Sequence, residues 1–436
     1  MQNKNTVVVV DGGGRGAALV DAYGRSNHVS RIIAVPGNDL MDINTDKEVI
    51  THQDLKTTSV REIVEIAKRE GVALVDVAQD NAVEAGVTDA VREVGITTFG
   101  PTRASGQIEW DKSWARDFGV RHKLPQPIFQ SFSSVDDGIE FLNKQKEDKK
   151  WFIKAAGLAE GKGVLPAVSN KEAVEKIKEL NENFKAAAET YLIEQWLEGE
   201  EFSSFAICDG SDFQIVGSAQ DHKRVNDGDE GPNTGGMGCS TPPLVINENI
   251  KDQISEIFSK TIRGLADEKR PYTGILYLGG IIVGGRVYII EFNARWGDPE
   301  AEVLLPGIKT DLFEVGMAVA KGEINNLEIE TDGRTRVAVA ATTRGYPGSY
   351  PKGKEITGID EIMSSGVKVY GAGIKKQDGK YFTNGGRVLY VVGEGRDVIE
   401  ARDMAYNAIG KLKFEDDMLH YRRDIGYRDV ERLKKK

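Results

Sequence analysis

The densest chemistry in the chain lies in Glu291-Phe292-Asn293-Ala294-Arg295, which follows the apolar-rich residues 287–290. Alternate side chains of an extended strand share a face. Glu291 and Asn293 can therefore aim a carboxylate and an amide oxygen at one hard cation, with Arg295 joining the same face. Mg²⁺ with few protein ligands, completed by phosphate oxygens and water, suits such a pair. The plainer alternative is a solvent-facing strand end. A second cluster, Gln220-Asp221-His222-Lys223-Arg224, precedes the loop Gly231-Pro232-Asn233-Thr234-Gly235-Gly236-Met237-Gly238. Two cations beside an acid and a long glycine loop suit a small zwitterion and a phosphate bound together; a surface turn is the alternative. No Ser or Cys nucleophile motif accompanies His222, so it reads as structural and not as a general base.

Two more glycine loops extend the pattern. Gly157-Leu158-Ala159-Glu160-Gly161-Lys162-Gly163 follows Lys154. It is not a Walker A loop, because the spacing before Gly-Lys is short and a glycine replaces the Ser or Thr. It joins two strands, so it reads as a hairpin lid over a triphosphate, with Lys154 pointing at charge. A lysine in a buried strand is costly unless paired, and a solvated edge lysine is the alternative. The first loop, Gly12-Gly13-Gly14-Arg15-Gly16-Ala17, fits the G-x-G-x-x-G/A pattern in which bare amides at a helix start hold phosphate. Three readings stay open: NAD, the phosphate of another ligand, and a tight turn. An NAD site calls for an acid at the end of the second strand, where Pro36-Gly37-Asn38 stands instead. Arg15 favours an anion over bare turn geometry.

The elements that must position these groups fall into three regions. Residues 6–10, 31–35, 74–77 and 97–99 read as strands and 15–23, 60–70 and 82–94 as helices. This βαβ rhythm predicts a parallel sheet with helices on both faces and ligands at the strands' carboxyl ends. After about residue 104 the rhythm changes to α+β. Strands are expected at 151–155 and 164–167, a helix at 171–180, and antiparallel pairs of 191–195 with 202–208 and 274–283 with 286–291. From about 330 come strands 335–343, 367–370 and 385–392 and a helix near 401–412. The expected domains are 1–103, 104–328 with a lid at about 120–195, and 329–436.

At 436 residues and 47.8 kDa the chain is long enough for several such domains. It carries 57 Lys and Arg against 68 Asp and Glu, a net charge of −11. That argues against a nucleic-acid protein working through a broadly basic face. Two cysteines, Cys208 and Cys239, make neither a disulfide framework nor a zinc cluster, and point to a reducing location. The apolar run near residue 6 is too short for a signal peptide, and nowhere do eighteen apolar residues follow one another. The expected setting is the cytoplasm, without nucleic-acid or membrane partners.

Taken together, the segments AQDHKR at 219–224, GPNTGGMG at 231–238, YTGILYLGG at 272–280 and EFNARWGDPE at 291–300 resemble the ATP-grasp ligases. Within them the chain is similar to the phosphoribosylamine–glycine ligases (glycinamide ribonucleotide synthetases). GLAEGKGV at 157–164, PGN at 36–38, FGP at 99–101 and GGRVL at 385–389 agree in order and spacing. The resemblance covers nearly the whole chain. It implies a parallel-sheet N-terminal (pre-ATP-grasp) domain, an ATP-grasp body and a small C-terminal α+β domain, in a monomer or small homo-oligomer. By the resemblance, Lys112 and Lys154 would grip ATP phosphates, while Gly161, Lys162 and Gly163 would form the lid. Glu194-Gln195-Trp196-Leu197 would be the adenine hinge, with Glu200 and Glu201 near the nucleotide. Glu291 and Asn293 would hold Mg²⁺ or Mn²⁺. Arg295, with Asp221, Lys223 and the loop Asn233, Thr234, Gly235, Gly236 and Met237, would face the acyl phosphate and glycine. Gly13, Gly14, Arg15, Pro36, Gly37 and Asn38 would take the phosphoribosyl end of the amine.

Three departures qualify what the resemblance implies. The family's first loop reads Gly-Gly-Arg-Glu-His-Ala, and here Gly16 and Ala17 replace the glutamate and histidine. Its Gly-Pro-Glu-Ala-Pro-Leu segment becomes Ala78-Gln79-Asp80-Asn81-Ala82-Val83, and an aspartate before the lid becomes Ala156. Lost polar contacts can change specificity heavily, so a sibling carboxylate–amine ligase with another amine is the alternative. The other resolution is that Gln79 and Asp80 compensate. From other classes, an NAD-dependent oxidoreductase lacks its strand-end acid. A non-catalytic nucleotide sensor would not need Glu291, Asn293 and Arg295 together.

Overall fold

The computed structural model describes residues 5–159 and 162–435. Its amino-terminal part is a five-stranded parallel sheet in the order Glu48–Thr51, Val29–Ala34, Asn5–Val10, Leu74–Val77, Thr98–Phe99. The central strand shows why a run of valines suits this place. Val7 and Val9 enter one core and Val8 and Val10 another, so both faces are covered and no polar alternation is needed. The helix expected over 82–94 is two, Asp80–Glu84 and Val87–Glu93, broken at Gly86, whose φ of +82° is open to glycine and strained for other residues. The strand Glu48–Thr51 was not foreseen.

A four-stranded antiparallel sheet follows, in the order Phe129–Phe132, Tyr191–Gln195, Trp151–Ala155, Val164–Ala167. The helices Val135–Asn143 and Asn170–Phe184 cover it over a core of its own, with Phe132, Trp151, Ile153, Leu180 and Ile193 inside. The expected pairing of 191–195 with 202–208 does not occur. Tyr191–Gln195 pairs within this small sheet, whereas Glu200–Asp209 pairs with Phe213–Asp221 and Thr273–Val283. Residues 196–199 therefore pass from one sheet to another instead of turning a hairpin.

The body is a nine-stranded antiparallel sheet among the described residues. It runs Arg286–Asn293, Thr273–Val283, Glu200–Asp209, Phe213–Asp221, Gly238–Thr241, Thr335–Thr343, Arg387–Gly395, Lys368–Gly371, with Leu419–His420 beside Thr335–Thr343. The carboxyl-terminal strands thus continue the body sheet through the pairing of Gly238–Thr241 with Thr335–Thr343. That continuity fixes the loop before Gly238 against the carboxyl-terminal region. The amphipathic helix Glu248–Asp267 packs on the body through Ile254, Ile257, Phe258 and Leu265. Among the described residues no helix is long and apolar enough to cross a membrane.

Candidate active site

A cleft with about 850 Å³ of empty space, part of it open solvent, lies between the small sheet and the end of the body sheet. Lys112, Lys154, Gly163, Glu194, Glu291, Asn293 and Arg295 all line it, so the structure gathers residues that lie far apart in sequence. Lys154 is buried and not a solvated edge lysine: its Nζ sits 2.6 Å from Glu194 Oε2. Glu194 also accepts both arms of Arg116, at 2.7 and 3.0 Å. Burial alone would push the Glu194 carboxyl up. The Arg116 and Lys154 cations overcome that and hold it at about 2, so it stays ionised. Arg116 in turn donates to the carbonyls of Ile289 at 3.1 Å and Ile290 at 2.6 Å, on the strand that carries Glu291. Lys112 lies opposite, its Nζ 3.4 Å from the Gly157 carbonyl at the start of the lid turn.

At the end of Arg286–Asn293 the alternation holds. Phe292 enters the body core while Glu291 and Asn293 face the cleft. Burial opposes charge on Glu291, but Lys223, Lys112, Lys154 and Arg295 together lower its pKa, so it is a carboxylate. A side chain at position 279 on the neighbouring strand would place Cβ 3.2 Å from Glu291 Cγ, so Gly279 leaves that carboxylate its room. Asn293 Oδ1 accepts from Arg295 Nη2 at 3.1 Å, and its buried Nδ2 has no partner among the described residues. One ionised carboxylate and one amide oxygen fit a hard divalent cation. No group of three or more His, Cys, Asp or Glu among the described residues could hold such an ion alone. The set therefore suits a metal shared with phosphate oxygens and water.

Arg295 is fixed from below by Glu109, with Nη2 2.9 Å from Oε1. The other Glu109 oxygen accepts the Ala294 amide at 2.7 Å. Burial raises the Glu109 carboxyl to about 7 against the pull of Arg295. A smaller recess of about 310 Å³ shares Glu291 with the main cleft and holds Glu201, Asp221 and Lys223. Lys223 Nζ is 3.5 Å from Glu201 Oε2, and the acids around it, Glu201 first, raise its pKa and keep it a cation. Burial, then Glu300, raises Asp221 well above the usual carboxylate range.

The loop beyond Lys223 is folded onto that lysine's own backbone. Thr234 donates to the Lys223 carbonyl through N at 2.7 Å and Oγ1 at 2.8 Å. Gly236 has φ +118°, and a Cβ there would lie 2.5 Å from Pro299 Cδ and 2.8 Å from Asp221 Oδ1. Only glycine brings the loop this close to the acid. Asn233 is exposed at the end of its strand, and Met237 is a core side chain, so neither contributes a side chain to the recess.

His222 is structural. It is fully buried and its Nε2 accepts the Gly426 amide at 3.1 Å. Burial first, then the Arg422 and Arg428 cations, lower its pKa from 6.5 to about 3. Between these values the unfolded chain binds the extra proton, so stability falls as pH falls through that window. The slope is up to about 1.4 kcal/mol per pH unit. Replacing His222 with Gln is expected to flatten the loss of unfolding free energy between pH 6.5 and 5 in urea titrations. Equal slopes for both proteins would contradict this assignment.

The amino-terminal loop behaves differently from a bare anion nest. The Asp11 carboxylate accepts the Gly13 amide at 2.6 Å and the Gly16 amide at 3.2 Å, and Arg15 is bound to the same carboxylate. Gly14 packs on Tyr390 and Glu302, which lie closer than a Cβ would allow. Pro36-Gly37-Asn38 braces this loop. Asn38 Nδ2 donates to the Gly12 carbonyl at 3.1 Å and to Gly371 of the carboxyl-terminal region at 2.8 Å. In the altered 78–83 segment, Gln79 takes up Arg15 and Asp80 lines the main cleft.

Some sequence-derived expectations lie outside these clefts. Gly161 lies outside the described residues. Lys162 is exposed on the turn. Trp196 stacks on Phe152 with ring centroids 4.5 Å apart, and neither it nor Leu197 lines the cleft. Conversely, Glu109, Arg116 and Gln126 line it with no sequence motif to mark them. Arg387, within the GGRVL segment, adds a further contact. Its Nη1 bonds the carbonyls of Gly235 at 2.6 Å and Asp298 at 2.8 Å, tying the glycine loop to the carboxyl-terminal sheet.

The N, ATP-grasp (A) and C domains of phosphoribosylglycinamide synthetase match residues 5–109, 110–301 and 336–428. The phosphoribosylamine–glycine ligase of Vibrio parahaemolyticus is 35% identical over 99% of this chain and 100% of its own length. The trifunctional purine biosynthetic protein adenosine-3 of Bos taurus is 36% identical over 97% of this chain, which spans only 42% of that longer protein. Among solved structures, the phosphoribosylamine–glycine ligase of Thermotoga maritima superposes with a TM-score of 0.82 at 30% identity. That match covers 96% of this chain and 100% of the other. The biotin carboxylase domain of Hydrogenobacter thermophilus 2-oxoglutarate carboxylase, solved with its MgADP, shares the fold at a TM-score of 0.72 and 16% identity, over 95% and 91% of the two chains.

Proposed function

Because the chain belongs to the phosphoribosylglycinamide synthetase family, we propose that it is an ATP-dependent ligase joining glycine to 5-phosphoribosylamine, with glycinamide ribonucleotide, ADP and phosphate as products in purine biosynthesis. The single observation that supports it best is the convergence of Lys112, Lys154, Glu291, Asn293 and Arg295 on one cleft beside a glycine turn. A glycine carboxylate oxygen attacks the γ-phosphorus of ATP, and ADP leaves with the broken P–O bond pair. The amine nitrogen then attacks the acyl carbon of glycyl phosphate, phosphate leaves, and the nitrogen loses a proton to solvent.

The barrier is charge crowding, because a carboxylate must approach a triphosphate. In this reading Lys112 and Lys154 neutralise the phosphates, and Arg295 and Lys223 hold the developing acyl phosphate, with Asp221 and the 234–236 loop beside glycine. Glu201 lies with Lys223, at the nucleotide side. Glu291 and Asn293 would hold Mg²⁺ or Mn²⁺, which supplies further charge neutralisation on the phosphates when bound. Leu158, Ala159 and Gly163, which line the cleft, exclude water from the acyl phosphate. Residues 1–103 serve the phosphoribosyl side, 104–328 the nucleotide, and 329–436 close the site. ATP, glycine and phosphoribosylamine as substrates and two buried free cysteines fit a reducing cytoplasm.

Release of ADP is expected to need glycine and an amine, and to be fast only with phosphoribosylamine, a small nucleophile such as hydroxylamine at high concentration supporting only slow turnover. ADP formed equally well with glycine and an unphosphorylated amine would favour a sibling ligase, a reading that the altered 78–83 segment motivates.

A further inference from the structure

We propose that Arg15 is a positioning residue for Arg295, pinned by Asp11 and Gln79 so that it fixes the main chain at Trp296, and that it is not a ligand for a substrate phosphate. This rests on the ligase reading, since its readout is acyl phosphate chemistry. The Arg15 guanidinium is buried, and nearly all its N–H groups are spent inside the protein. Nε donates to Asp11 Oδ2 at 2.9 Å, and Nη2 donates to the same oxygen at 2.6 Å and to Gln79 Oε1. Nη1 donates to the Trp296 carbonyl at 2.9 Å. A guanidinium used in this way has no fork left for a phosphate.

The Trp296 carbonyl is the link. Arg295 Nη1 reaches the same oxygen at 3.2 Å, so one carbonyl is bonded by an arginine of the amino-terminal part and by the arginine of the cleft. The Trp296 ring is buried against Phe205, with centroids 5.6 Å apart, and so cannot swing away to relieve a misplaced backbone. Asp11 is shaped for this work. One oxygen takes the Gly13 and Gly16 amides while the other takes Arg15. A Cβ at Gly16 would lie 2.7 Å from Asp11 Oδ1, so the glycine at 16 is what admits the acid. Gln79 completes the grip, and its neighbour Asp80 faces the cleft near Arg295. Contact of the amine substrate with the amino-terminal part would thereby be felt at Arg295.

Hydroxylamine tests this without any phosphoribosylamine. Its nitrogen attacks the acyl carbon of glycyl phosphate, phosphate leaves with the C–O bond pair, a proton goes to solvent, and glycine hydroxamate accumulates. Arg15→Met is expected to lower kcat for hydroxamate formation roughly 10- to 100-fold, as a displaced catalytic group would, with KM for phosphoribosylamine in the full reaction unchanged. In an Arg295→Met background the same substitution should add no further loss, because the two act through one another. Asp11→Asn, which keeps the arginine and its volume, should act in the same direction more weakly, and it carries the test if Arg15→Met does not fold. Normal hydroxamate formation with a raised KM for phosphoribosylamine would make Arg15 a substrate ligand and overturn the proposal. Equal, independent losses in both backgrounds would overturn it too, as a merely structural role. A wild-type protein that forms no glycine-dependent hydroxamate would overturn the ligase reading and the proposal with it.

Discussion

Arg295→Met is expected to lower turnover by roughly 10²- to 10³-fold, the usual cost of removing a preorganised donor from a dry site, while ATP still binds. Arg295 lines the cleft bound to Glu109 and Asn293, and no nucleotide grip is assigned to it. The loss should therefore fall on kcat. Its partner Glu109 makes the variant tolerable to the fold. That carboxyl is already raised to about 7 by burial and is kept from rising further by Arg295. Without the arginine it takes up a proton and does not persist as a stranded charge. Steady-state kinetics beside nucleotide binding by calorimetry separates the two effects. Unchanged turnover would remove Arg295 from the chemistry, and lost ATP binding would move it to the nucleotide site.

Glu194→Gln should give the largest stability effect, about 3–5 kcal/mol, the range found when a buried ion pair loses one partner. Here one carboxylate serves two buried cations, Arg116 and Lys154, so its neutral replacement leaves both without their counter-charge. The link also joins the small sheet, which carries Lys154 and Glu194, to the helix Lys112–Arg121 and the carbonyls of Ile289 and Ile290. The loss is therefore expected in the transition of the small sheet when urea unfolding is followed by Trp151 and Trp196 fluorescence, with a raised KM for ATP. A change below about 0.5 kcal/mol, typical of surface positions, would mean that the cations find other partners.

Local pattern explains what the sequence made legible. The run at 7–10 signals a strand covered on both faces, and the alternation of Glu291 and Asn293 signals a shared face, because both follow from neighbouring residues. Lys154 could be singled out because a cation inside an apolar strand demands a partner. The partner system itself was not visible. Arg116 and Glu194 stand 78 residues apart, and neither has a spacing motif. Glu109 likewise looks like an ordinary helix residue until Ala294 and Arg295 are brought over it.

The expected hairpin fails for a clear cause. Successive strands usually form a hairpin, so 191–195 and 202–208 were paired, but Trp196-Leu197-Glu198-Gly199 crosses between sheets. Arg15 beside glycines reads as a cation awaiting an anion, and the anion that the structure places against it is Asp11, four residues earlier. The helix Glu248–Asp267 carries a readable stripe at Ile250, Ile254, Ile257 and Ile262 that bears no chemistry and serves the body core.

The most direct test of the central claim is the mass of the product formed from Mg-ATP, glycine and freshly generated phosphoribosylamine. The account predicts an adduct of glycine and phosphoribosylamine minus one water, appearing in step with ADP and phosphate and absent when any substrate is left out. ADP formation without that adduct, or the adduct of a different amine formed in preference, would contradict it.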